Sequence, residues 1–411
     1  MIAMEHLTWV SLAGTRVRLA EVRADPDRFV ALLAVARLGR TAKCLCQHDP
    51  LPLVVRCSSA TGRHSLARLP FSRETHHPNC EFRADHTASK GNDSDADAAI
   101  AVSETGAVAV RFAEPLTSTR TQVAAAPTGR HTESNERRRV GLMGLLLHLW
   151  GAAGLNTWPS DTRRRIWADV TGALHPQLAL TTISSRPAAD VIYVVPPYRR
   201  DRGDHNRPGY QQFISSLRSD ADQLRRGLIL AEIREFQDAK FGGLRCHLAQ
   251  QSRSYPGIYL TADVHDRLQR SYPTAFSRAA AAANVRKVVL MLVESSPSGK
   301  YLRAISAAVL STNRHWIPVD SSHEAVAADA LTQNRIGFVK PIRFDPGSDV
   351  VLPDFELSGC SATVLEVWGR DDPDYLQRKA DKLAYYRSSG IELLEWTPPT
   401  PMPDLAAIRR F

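Results

Sequence analysis

Val364-Leu365-Glu366-Val367-Trp368-Gly369 sets a single acid in the middle of an apolar run of strand type. Side chains alternate along a strand, so Glu366 shares a face with Val364 and Trp368, while Leu365 and Val367 face the other way. A carboxylate in such surroundings is costly unless it is paired or bound to a cation. Twelve residues earlier, Pro353-Asp354 offers a second carboxylate on a neighbouring segment. Magnesium binds through one or two carboxylates together with substrate phosphate. Such an ion activates water and neutralises phosphate charge in phosphodiester hydrolysis.

Working outward, the pattern predicts a helix over Ser321–Asn334 and strands over Ile336–Phe344, Val350–Leu357 and Ala362–Trp368. A helix over Asp374–Arg387 and a strand over Ile391–Trp396 follow. On the second helix, Tyr375, Arg378, Lys379, Lys382, Tyr385 and Tyr386 fall on one face. Leu376, Ala380 and Leu383 form an opposite apolar stripe. This αβββαβ order resembles the core of the restriction-endonuclease-like PD-(D/E)XK superfamily. Its usual lysine stands two residues after the acid, where this chain has Trp368. The segment is similar to members whose lysine is displaced onto the following helix. The resemblance implies a catalytic set of Glu324, Asp354, Glu366, Lys379 and Lys382. In it Asp354 and Glu366 hold Mg2+, the Val367 carbonyl could assist, and Lys379 or Lys382 orients water or stabilises phosphorane charge. Bland readings stand beside these. Ser321-x-x-Glu324 is also a capping box, an acid after proline is also a turn acid, and most helix lysines are merely solvated.

A second constellation lies near the N-terminus. Cys44, Cys46, His76 and Cys80 offer the thiolates and imidazole that structural Zn2+ prefers. Cys57, His64 and His77 are spare candidates, and buried thiols beside surface histidines are the alternative. Residues 8 to 42 read as strands followed by a helix with a Phe29, Leu32, Leu33, Val35 stripe. Residues 84–139 read as a low-complexity linker with at most a hairpin at Ala107–Phe112. The block after it is helical, its small core filled by Trp150, Trp158 and Trp167. Strands are expected at Tyr193–Pro197, Leu228–Ile233, Gly257–Thr261, Val288–Val293 and Tyr301–Val309. The expected architecture is therefore α/β and multidomain: a zinc-binding module (1–83), the linker (84–139), a helical domain (140–225), a β-rich domain (226–318) and the nuclease-like core (319–411).

The 411 residues carry a formal charge of +9, which favours polyanionic partners. Nucleic acid, DNA foremost, is the expected partner. Arg199, Arg200 and Arg202, with Arg207, would form a phosphate-contacting loop, and Arg378 would add to it; a flexible basic connector is the plainer alternative. The strand-rich middle could also hold DNA. Met1–Leu7 lacks the apolar core of a secretory signal, and Leu142–Leu155 is too short to span a bilayer. A cytoplasmic protein without membrane contact is expected. Many nucleases of this fold act as dimers, but the oligomeric state is not written in the chain.

Several further motifs look like a bacterial family of unknown function carried on plasmids and integrative conjugative elements. They are Cys44-Leu45-Cys46, Leu66-Ala67-Arg68-Leu69-Pro70, His76-His77-Pro78-Asn79-Cys80, Leu146-Leu147-His148-Leu149-Trp150 with Trp158, Arg165-x-Trp167, and Leu393-Leu394-Glu395-Trp396. That resemblance implies a mobile-element context. Three functions compete: a metal-dependent nuclease, an inactive nuclease-fold DNA-binding accessory protein, and a zinc-stabilised interaction protein.

Overall fold

The computed structural model describes residues 8–25, 27–39, 41–57, 64–68, 76–77, 80–82, 99–103, 107–119, 139–198, 205–219, 223–240, 242–252, 254–342, 352–358, 363–388 and 390–405. The architecture is mixed α/β with several sheets.

The N-terminal unit is one five-stranded sheet, ordered β2-β1-β3-β4-β5. Its strands are β1 (Trp9–Leu12), β2 (Thr15–Arg18), β3 (Lys43–Cys44), β4 (Leu51–Cys57) and β5 (His64–Arg68). Helices α1 (Leu19–Ala24) and α2 (Val30–Gly39) complete the unit. Phe29 and Leu33 enter the core with Val10, Leu12 and Phe82, whereas Val35 is 57% exposed. The expected stripe is thus narrower than the sequence suggested.

The next region is built into the structure more fully than a linker would be. β6 (Ile100–Val102) and β7 (Val108–Val110) form a hairpin, and β8 (Thr117–Thr119) pairs with a later long strand. Val110, Phe112 and Leu116 are buried in the largest apolar cluster. The elements that follow are α3 (Leu142–Ala152), β9 (Thr157–Trp158), α4 (Trp167–Leu180), β10 (Thr181–Ile183), β11 (Arg186–Pro187), α5 (Ala188–Val191), β12 (Ile192–Val194) and α6 (Arg207–Ser216). Trp150 and Trp167 share that cluster, but Trp158 packs into the C-terminal core instead.

The centre of the molecule is formed by β13 (Gln223–Asp238), β14 (Leu244–Leu248), β15 (Ile258–Leu260), α7 (Ala262–Ser271), α8 (Arg278–Ala282), β16 (Arg286–Ser295) and β17 (Leu302–Thr312). The pairing β13-β14-β15-β17-β16 returns to β13, because β13 uses its first half for β16 and its second half for β14. A register shift between Ile233 and Glu235 lies where β13 changes partners. Ile229, Ala231, Val289, Met291, Leu302 and Val309 line the inside of this ring, and α6 and α7 close it with Phe213, Ile214, Val264 and Leu268. On the outer face, Leu228, Leu230, Val288, Leu290 and Leu310 are covered by α3 and α4. Burial on both faces explains the unbroken run Val288–Val293, which has no polar alternation. The boundary expected at 225/226 falls inside β13, and the apolar cluster crosses it.

The C-terminal sheet is ordered β21-β20-β19-β18-β9. Its elements are α9 (Ser322–Gln333), β18 (Phe338–Val339), β19 (Phe355–Leu357), β20 (Thr363–Val367), α10 (Pro373–Ser388) and β21 (Glu392–Trp396). The expected order of elements is present, with shorter first strands, and β9 is recruited from the preceding region. Asp354 stands just before β19, not within it. On helix α10, Tyr386 is fully buried, while Leu376 of the expected apolar stripe is 49% exposed. Among the described residues, no helix is long and apolar enough to cross a membrane.

Candidate functional site

Cys44 belongs to β3, Cys46 follows it, and a turn closed by Cys80 N donating to His77 O brings His76 and Cys80 together. The Sγ atoms of Cys44 and Cys80 lie 3.6 Å apart. His76 Nδ1 is 3.3 Å from Cys46 Sγ and 3.6 Å from Cys80 Sγ. Metal–sulfur bonds of about 2.3 Å in a tetrahedron place the ligand atoms roughly 3.8 Å apart, so the set fits a zinc-sized ion. All four donor atoms lie within 4.8 Å of one another, and the group could hold a metal such as zinc. The hydrogen bond from Cys44 to Cys80 lowers the Cys80 thiol to about 5 and raises that of Cys44. Among the described residues, this is the one group of at least three such ligands that converges, and neither His64 nor His77 is part of it.

The second site lies between α9, the C-terminal sheet and α10. Glu366 on β20 is 1% exposed. Lys382 Nζ, reaching across from α10, donates to both Glu366 carboxylate oxygens at 2.8 Å and to Leu352 O at 2.8 Å. The Tyr386 hydroxyl, one helical turn further on, donates to Glu366 Oε1. Asp354 Oδ2 accepts from Val367 N at 2.8 Å, which ties the second acid to the residue after Glu366. Burial first, and the Asp354 charge next, push the Glu366 carboxyl up to about 7. Tyr386 is raised by burial and by Glu366.

Glu324 stands at the capped start of its helix and turns its carboxylate toward Lys340. Its backbone N–H donates to Ser321 Oγ at 3.1 Å, so the helix is capped. Its carboxylate meanwhile accepts from Lys340 Nζ at 2.6 Å and from Asp320 N at 3.0 Å. Burial opposes the charge on Lys340, but Asp320, Glu324 and Asp354 outweigh it and raise its pKa. Burial pushes the Glu324 carboxyl up and Lys340 pulls it down. Burial outweighs the lysine, and the Glu324 carboxyl ends raised to about 7. Asp354 acts electrostatically on both the Glu324–Lys340 and the Glu366–Lys382 pairs.

Of the two lysines weighed from the sequence, Lys382 contacts Glu366. Lys379 lies 4.7 Å over the Trp368 ring and 3.7 Å from Glu395. Trp368 Nε1 donates to Glu395 Oε2 at 2.8 Å, so the indole standing where the usual lysine would be is locked in place. The sequence reading missed Lys340. The signal was there: a charge at the end of the apolar pair Phe338-Val339, the same pattern that singled out Glu366. Arg199, Arg200 and Arg202 lie outside the described residues, as does the side chain of Arg378.

Residues 16–398 match the profile of a family described as protein of unknown function, DUF1173. The chain belongs to the DUF1173 family. No curated protein and no solved structure matched it. The DUF1173 match spans the Cys/His cluster, the central ring and both lysine–carboxylate pairs. Membership of a family of unknown function is what the scattered motifs implied.

Proposed function

We propose that this DUF1173 chain is a metal-dependent DNA nuclease of the PD-(D/E)XK type, serving a mobile genetic element. One observation carries the reading: Lys382 from α10 reaches the buried Glu366 carboxylate beside Asp354. A displaced lysine needs this arrangement, because the amine then occupies the space that a lysine at position 368 would have supplied.

The donor set fits Mg2+. Asp354 and Glu366 offer hard oxygens, and their mutual repulsion, felt in the raised Glu366 carboxyl, is what a divalent cation relieves. When bound, the ion supplies Lewis acidity toward phosphate and water. Lys382 would then exchange part of its contact with Glu366 for a phosphate oxygen or the attacking water. Tyr386 holds the Glu366 side chain in place during that exchange. Lys340, oriented by Glu324 and Asp320, adds positive charge beside Asp354. Glu324 thus acts through Lys340 and not as a direct ligand.

The nuclease should nick or cut DNA in Mg2+. Asp354→Ala and Glu366→Ala should abolish cutting, and Lys382→Ala should slow it roughly a hundredfold or more. A native chain that cuts neither single- nor double-stranded DNA in Mg2+ or Mn2+ would overturn this reading. A second reading, a DNA-binding protein with a catalytically lapsed nuclease fold, is favoured by the locked Trp368 and by lysines that already neutralise the acids. Salt-dependent DNA binding without cutting would decide for it.

A further inference from the structure

We propose that the central ring is a single-stranded nucleic-acid-binding module whose contact surface is the outer face of β14, β15 and β17. Three observations lead there. The first is topology. The five strands pair in the cyclic order first-second-third-fifth-fourth and back to the first. β15 and β17 run parallel while the other ring pairs are antiparallel. A helix, α7, falls between the third strand and the fourth and caps the interior with Val264 and Leu268. This is the connectivity of the OB-fold, a five-stranded barrel that binds oligonucleotides on its second and third strands and adjoining loops. Fold alone does not give function, so the weight rests on the next two observations.

The second is which part of the barrel is left open. β13, β16 and the far half of β17 have their outer faces covered by α3 and α4. On β14, β15 and the near half of β17, Cys246, Ile258, Leu260, Leu302 and Ala304 point inward. Tyr259 and Arg303 alternate with these and face outward with Tyr301 beside them, whereas Arg245 donates to Tyr255 O at 3.1 Å and His247 is buried.

The third is what those positions carry. The register aligns Arg245 with Tyr259, and Tyr259 with Arg303, as one cross-strand row. Tyr301, two residues before Arg303, meets Tyr259 edge-on with ring centroids 5.3 Å apart. Two tyrosines beside the half-exposed Arg303 combine base-stacking faces with a phosphate donor, the chemistry of single-strand binding. Gly257 fits the same purpose: a Cβ there would lie 2.7 Å from the Tyr259 ring and 3.0 Å from Arg245 Nε. Glycine at 257 leaves room for the Tyr259 ring and the Arg245 guanidinium. Of the nearby acids, Glu294 is held between Arg226 and Arg303, and Glu235 lies on the adjoining strand. Duplex DNA keeps its bases stacked on one another and offers no free ring to such a surface, so the geometry favours a single strand.

The inference rests on nucleic acid as the partner but not on catalysis. It is therefore tested on full-length Glu366→Gln protein without divalent metal, by fluorescence anisotropy of labelled fifteen-nucleotide oligonucleotides, DNA and RNA. Binding should weaken with salt and favour the single strand over a duplex of equal length. Tyr259→Ala and Tyr301→Ala should each weaken it roughly tenfold, with Tyr→Phe at either position nearly neutral. Arg303→Gln should reduce the salt slope. Tyr301 lies at the surface, so its variant separates lost contact from lost fold. Absence of oligonucleotide binding, equal affinity for duplex, or an unaffected Tyr301→Ala chain would overturn the proposal, whatever the cleavage assay shows.

Discussion

At the scale of single residues, the C-terminal site is organised by the cost of burying charge. Glu366 is 1% exposed and Lys382 is the cation within reach at 2.8 Å. Removing one partner of such a pair leaves the other stranded, at a cost of about 3 kcal/mol. Lys382→Met should therefore lower urea stability by that order, and adding Glu366→Gln should restore most of the loss. Equal stability of the single and double variants would show that the stranded Glu366 carboxylate costs nothing. The raised Glu366 carboxyl also has a pH signature. The folded chain holds this proton up to about pH 7, whereas the unfolded chain releases it near 4.5. Its contribution is complete at low pH and lost as pH rises through 7, up to roughly 3 kcal/mol. Without divalent metal, the native protein should lose thermal stability relative to Glu366→Gln between pH 5 and 7.5. Parallel melting curves across that window would contradict the shift. Glu366 was legible in the sequence because a lone charge in an apolar strand demands an explanation. Lys340 obeys the same rule, but its partner Glu324 lies sixteen residues away on another element, and one sequence does not reveal which charges meet.

At the scale of elements, the Cys/His cluster joins a strand of the small N-terminal sheet to the turn at His76–Cys80. The core there is modest, and cross-linking it through an ion adds stability that few apolar contacts could supply. The purified chain should carry one zinc. Chelation, or Cys80→Ser, should open the N-terminal eighty or so residues to limited proteolysis while the barrel, with its separate apolar cluster, stays intact. A metal-free chain with native protease resistance would return these residues to plain buried thiols. The ligands were legible because their chemistry is local and specific. The orientation of α10 was legible only in part. A solvated face was the plainer reading of its lysines, yet Lys382 and Tyr386 turn inward to meet Glu366, leaving Leu376 outside. Apolar periodicity assumes that the covered surface is greasy, and it fails where the covered surface is an acid site.

Across the whole molecule, the pairing of distant strands decides what counts as a unit. The sequence indicates that Val288–Val293 is a strand, but not that β13 bends to pair with β14 and β16 at once. Without that closure, a division at 225/226 looks reasonable. In the structure, Leu145, Leu149, Val170 and Leu174 of the helical layer pack in one cluster with Leu228, Leu230, Leu290 and Leu292 of the barrel. A helical layer cut away from this surface would leave an amphipathic face in water with nothing to bury against. Residues 140–225 expressed alone should therefore give a collapsed NMR spectrum and little cooperative melting. A piece from 99 to 318, which keeps the β6–β7 hairpin, the helices and the closed ring together, should melt cooperatively. A well-dispersed spectrum from 140–225 would mean that the helical layer has a core of its own and that the barrel's outer face can be uncovered. That outcome would also remove the physical reason for β14, β15 and β17 being the open side, since the contact surface follows from which flank the helices occupy.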